Sequence, residues 1–144
     1  MYPTTIGVWA PLVDWTPYDI NKTFLANIQS TSLRIVAQTD SIVFCLHQRV
    51  VERMKSANYE NNTYGWGIDS MAIAFTFSNS MLAVVDTSIS VEHPKFTGYP
   101  ANIARGQWME FLKQLLIGEL IQHKLLMAHI RMNRIMGENR SSDK

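Results

Sequence analysis

The sequence has one cysteine in 144 residues. That excludes an internal disulfide framework and a multi-cysteine zinc site. Net charge is also scarce: 13 Lys and Arg stand against 12 Asp and Glu, a formal +1. Nucleic acid and anionic membrane surfaces both ask for clustered cations, so neither partner is expected. The start, Met1-Tyr2-Pro3-Thr4-Thr5, has no basic segment leading into an apolar one. It is not read as a secretory signal, and a cytoplasmic location is expected. The most apolar run, 111–127, is interrupted by Lys113, Gln114, Glu119 and Gln122. It falls short of the roughly 20 clean apolar residues of a membrane span. No Gly-x-Gly-x-x-Gly and no P-loop occurs, which removes an independent dinucleotide or ATP site.

What is present is an ordinary globular composition, 47% hydrophobic. A chain of this length hides roughly two thirds of its unfolded surface, so one domain can carry its own core. Residues 5–13 read as a mostly buried strand, with Pro11 marking an edge or a bulge. Residues 14–32 read as an irregular connection, and 33–46 as β-rich. Within that run Cys45 reads as an inert core residue. The period then changes: Val50, Val51 and Met54 follow Leu46 and His47 at helical spacing, predicting a helix to about Lys55. A helix is expected over 70–79 with Asp69 as its N-cap, although Met71, Ile73, Phe75 and Phe77 also alternate as a strand would. Residues 81–92 read as a strand ending at Glu92-His93-Pro94. From 101 to 135 the pattern predicts one long helix, with kinks conceivable at Gly106 or Gly118. Its His123, Lys124, His129, Arg131 and Arg134 read as a solvated face. Strands and helices alternate, which points to α/β.

Two segments carry more than packing requires. In Tyr64-Gly65-Trp66-Gly67-Ile68-Asp69, two glycines flank a loop Trp whose indole face suits the apolar face of a sugar ring. Asp69 beside it reads as a general base or as a helix cap, and Trp66 as a stacking platform or a core plug. In Val91-Glu92-His93-Pro94, a His stands where open α/β sheets place ligands and can bind a divalent metal. The plainer alternative is a hydrogen-bonded surface His. Gln38-Thr39-Asp40 interrupts a strand and reads as a pocket wall or a bulge. Trp15, at a strand exit, reads as either exposed or packed in a turn.

In chain order, Val8-Trp9-Ala10-Pro11, Asp14-Trp15-Thr16-Pro17, Gln38-Thr39-Asp40, Tyr64-Gly65-Trp66-Gly67-Ile68-Asp69 and Val91-Glu92-His93-Pro94 with Thr97-Gly98-Tyr99 resemble the second half of GT-A glycosyltransferases of the family 2-like kind. The likeness covers roughly residues 5–100. It implies a partial GT-A, Rossmann-like three-layer architecture with a mixed sheet and a long C-terminal helix. It also implies transfer of a sugar from a nucleotide sugar to a glycan or other hydroxyl acceptor. Gly65, Trp66, Gly67 and Asp40 would border the acceptor, Asp69 would be the base, and His93 would join a site for Mn or Mg. The family often has Glu-Asp where this chain has Ile68-Asp69, and its metal site needs an Asp-x-Asp that this chain lacks. The resemblance therefore implies the acceptor-side half alone, inactive and metal-free by itself.

The expected organisation is an acceptor-side unit over 1–100, a long helix over 101–136 and a flexible tail over 137–144. Leu115, Leu116 and Ile117 are consecutive, as are Leu125, Leu126 and Met127, so the apolar stripe is wider than one core contact requires. A single helix of that length would overhang its domain, and a homodimer is the expected cover. A break at Gly118 with the helix folding back is the alternative. The other functional alternative is a non-catalytic assembly module that associates through this helix.

Overall fold

The computed structural model describes residues 5–93, 98 and 100–141. Its elements are β1 (Ile6–Val13), α1 (Ile20–Thr23), β2 (Phe24–Asn27), β3 (Leu33–Val36), β4 (Cys45–Leu46), α2 (Gln48–Lys55), α3 (Ile68–Ser78), β5 (Leu82–Val91), α4 (Ala101–Phe111) and α5 (Ile117–Ser141). A short 3₁₀ turn, Leu112–Gln114, follows α4. The fold is mixed α/β. Five strands form one sheet in the order β2-β3-β5-β1-β4, in which β1 and β5 are parallel and the other neighbours antiparallel.

β1 is buried along most of its length because it lies between β5 and β4. Pro11 is tolerated there by a register shift between Pro11 and Leu12, the irregularity that a strand proline demands. Helix α3 is the centre of the core. Met71, Ala72, Ile73 and Ala74 are fully buried, and α3 packs against β1, β5, α2 and α5. A helix covered on so many sides has no need of a polar face, which explains its all-round apolar sequence. Phe111, Leu126 and Ile130 belong to the same core as Val8 and Met71. The C-terminal helices are therefore built into the domain rather than appended to it.

Several expectations change. The predicted irregular segment 14–32 contains α1 and β2. His129 Nε2 donates to the Phe24 carbonyl at 2.7 Å and Asn133 Nδ2 to that of Lys22 at 3.0 Å. His129 and half-buried His123 are thus not part of a solvated face. The chain leaves the sheet over 37–44 instead of running on as strand, and Cys45 is exposed because β4 is a two-residue edge. The single helix predicted over 101–136 is two helices: Leu115 adopts extended backbone (φ −64°, ψ 130°). The second helix also continues through Ser141, into the stretch read as a tail.

Glu119 explains the break. Its Oε2 accepts from the Leu116 N–H at 2.9 Å, the backward half of a capping box that starts a new helix at Ile117. The same carboxylate grips Arg53 of α2 with both oxygens, at 2.7 and 2.9 Å. Arg53 also donates to the Gln114 carbonyl at 3.0 Å. The two charged side chains are only 11% and 3% exposed. Removing one partner of such a pair strands the other charge, so Glu119→Ala is expected to cost about 3 kcal/mol in urea unfolding. Lys55→Ala, at the exposed Lys55–Glu52 pair, is expected to change stability by less than about 1 kcal/mol. Equal effects would show that the clamp is not structural.

Candidate functional site

The parallel strands β1 and β5 end side by side, with Val13 opposite Val91. Beyond them the two chains are tied together. The Asp14 N–H donates to the Val91 carbonyl at 3.2 Å, and Asp14 Oδ1 accepts the His93 N–H at 2.8 Å. Carboxyl ends of parallel strands are where open α/β sheets place ligands. Here they are surrounded by the segment that leaves β3 and by the first turn of α3.

Asp40 is the hub. Thr16 Oγ1 donates to its Oδ2 at 2.7 Å, the Ile42 N–H donates to its Oδ1 at 3.1 Å, and His93 Nε2 lies 4.0 Å from Oδ2. Asp69 sits on the buried first turn of α3, where Gln38 Nε2 donates to its Oδ2 at 2.7 Å and the Ser70 N–H to its Oδ1 at 2.8 Å. Burial drives the Asp69 carboxyl up from 3.8 to about 6. The two hydrogen bonds pull the other way, and the charge of Asp40 adds to the rise. Tyr18 reports the same neighbourhood. Burial first, then the charges of Asp69 and Asp40, push its phenol up to about 12, while Arg134 opposes them.

Thr16, Tyr18, Thr39 and Asp40 line a cavity of about 20 Å³, enough for one water-sized group. Thr39 is 2% exposed, and its Oγ1 has no hydrogen-bond partner among the described residues.

His93 thus stands within 4.0 Å of Asp40, while Asp69 is held by Gln38 and Ser70 and meets Asp40 only through its charge. Of Gln38-Thr39-Asp40, Thr39 and Asp40 line the small cavity, and Gln38 turns to Asp69 instead. Gly67 adopts φ +90° at the start of α3, and a Cβ there would lie 2.5 Å from Trp108 Cδ1. The left-handed backbone and this packing both call for glycine. Gly65 also has a left-handed φ of +73°, with only ordinary contact for an added Cβ. Trp66 is half-buried, and its carbonyl accepts from Asn62 Nδ2 at 3.0 Å. It is therefore not a fully buried core plug. Trp15 is 66% exposed, so the packed-turn alternative falls away. Asp69 is not the N-cap, because Gly67 holds that position. Pro94, Thr97 and Tyr99 lie outside the described residues.

Tyr18 and Gln38 as the partner of Asp69 were missed. Tyr18 carries no spacing signal, and Gln38 meets Asp69 only through the tertiary fold. Among the described residues no three His, Cys, Asp or Glu side chains converge on a possible metal position. His93 and Asp40 alone do not make a divalent site. Among those residues no helix is long and apolar enough to cross a membrane. No protein-family model, no curated protein and no solved structure matches the chain.

The sign of the Asp69 shift sets a pH dependence. The folded state holds the Asp69 proton more tightly than the unfolded state, so this residue favours the fold at low pH. That contribution is lost as pH rises from about 4 through about 6. Asp69→Asn is therefore expected to be more stable than wild type at pH 8, by about 2–3 kcal/mol. The gain should shrink to nothing near pH 4. Urea unfolding across that range checks it, and a pH-independent difference would contradict the assignment.

Proposed function

We propose that the chain is the acceptor-side half of a GT-A, family 2-like glycosyltransferase, acting on a nucleotide sugar and a hydroxyl acceptor. The observation that carries the reading is Asp69: a buried carboxylate on the first turn of α3, bonded to Gln38, with its pKa pushed up to about 6. A general base works best with a pKa near the operating pH, and an ordinary surface Asp lies well below it. In the proposed step Asp69 takes the acceptor hydroxyl proton. The acceptor oxygen bonds to the anomeric carbon from the face opposite the nucleoside diphosphate, whose bond to that carbon breaks with inversion. The hydroxyl-sized space at Thr39, Tyr18 and Asp40 supports the acceptor side of this reading. Trp66, on its loop, would offer an aromatic face to the sugar. His93 would add one ligand to an Mn or Mg ion held mainly by the donor half, outside this chain.

This reading makes two expectations. Calorimetry of the chain with manganese and a nucleoside diphosphate should give no binding heat, and a micromolar Kd would overturn the division into halves. An upstream in-frame segment with Asp-x-Asp should restore transfer, and Asp69→Asn in that longer enzyme should lower kcat by about 10²- to 10⁴-fold. If no such segment exists, or if transfer survives the substitution, the reading fails.

A different observation favours the second reading, an assembly module. On α5, Ile117, Ile121, Leu125, Met132, Ile135 and Met136 are each more than half exposed. Their spacing follows the seam of a coiled coil. Exposed apolar side chains repeated along one helix mark an interaction surface. The occupant we propose is a second copy in parallel. Lys124 and Arg131 flank one side of the seam, so an antiparallel pair would set these cations against each other, while His129 on the other side is turned to the Phe24 carbonyl of its own domain. Light scattering at micromolar concentration should report a dimer that Leu125→Glu with Met132→Glu dissociates. A compact monomer would sink this reading.

A further inference from the structure

A second pocket lies on the far side of the glycine loop and shares no residue with the Asp40 cavity. Its volume is about 310 Å³, at the small end of the range of ligand sites. Five carboxamides line it: Asn58, Asn61, Asn62, Gln107 and Gln114. Phe111 supplies apolar surface, and the one charged lining residue, Glu110, is already paired with Lys113 at 2.6 Å. Among the described residues no Lys or Arg lines the pocket.

Asn62 is the informative residue. It is 9% exposed, and its Nδ2 donates to the Trp66 carbonyl at 3.0 Å. A carbonyl only accepts, so this bond fixes which end of the amide is which. The remaining atom, Oδ1, is buried and has no hydrogen-bond partner among the described residues. A buried acceptor without a donor is costly, and native proteins rarely leave one unmet. Gln107 is oriented as well, since its Oε1 accepts from the Tyr64 N–H at 3.4 Å. Gln114 is tied down by the Asn58 backbone on both its oxygen and its nitrogen.

We infer that this pocket binds a neutral polyhydroxyl ligand, a sugar ring, with one ligand hydroxyl donating to Asn62 Oδ1. Hydroxyls both donate and accept, and so do carboxamides. Phosphate or carboxylate would call for cations, which the lining lacks. Because Oδ1 is buried, this bond requires the exposed 58–61 segment, held at Asn58 by Gln114, to shift outward. The inference stands apart from the glycosyl-transfer reading, because Asp69 takes no part in it.

The test is a titration of the ¹⁵N-labelled chain with methyl glycosides of neutral hexoses, following the side-chain amide signals of Asn61, Asn62 and Gln107. Expected are saturable shifts in the millimolar range, reduced at least threefold in affinity by Gln107→Ala and unchanged by Asp69→Asn. Shifts lost in Asp69→Asn would place the sugar at the other site and overturn the proposal. No movement with any neutral glycoside would overturn it. So would equal movement with N-methylacetamide, which marks a peptide-amide site, or movement only with a sugar phosphate.

Discussion

The burial of α3 between the sheet and α5 is the constraint on which the rest of the structure depends. An eleven-residue helix without a polar face must be covered, and the available cover is β1, β5, α2 and α5. Gly67 starts that helix in a left-handed conformation beneath Trp108 and Phe111, so the turn and the packing of α4 are set together. Glu119 and Arg53 then hold α5 to α2, enclosing α3.

The same burial gives the site its chemistry. Asp69 stands one residue into α3 and is carried into the low-dielectric interior by its helix. Desolvation raises its pKa, and the bonds from Gln38 and Ser70 hold the carboxylate in a fixed orientation without cancelling that rise. Asp40 and His93 remain nearer the surface, with side chains 13% and 23% exposed. Asp40 accepts from Thr16 and from the Ile42 N–H instead.

Much of this was legible in the sequence. The apolar run of β1, the helical spacing of Leu46, Val50 and Met54, and the strand before His93 each carry a local signal. The Gly beside Asp69 and the Pro beside His93 marked element junctions, and the approach of His93 to Asp40 appears only in the fold. What stayed hidden depends on distant partners. β2 is pinned by His129, 105 residues away from Phe24. The helix break before Ile117 is fixed by Glu119, which lacks the Ser or Thr that would announce a capping box. Cys45 sits in an apolar run, yet its strand is too short and peripheral to bury it.

Burial raises the Asp69 carboxyl from 3.8 to about 6. Carboxyl ¹³C NMR of the chain, with and without Asp40→Asn, tests it most directly. The account predicts that the Asp69 carboxyl titrates near 6, and at a lower pH once the Asp40 charge is removed. Titration near 4 in both proteins would contradict it.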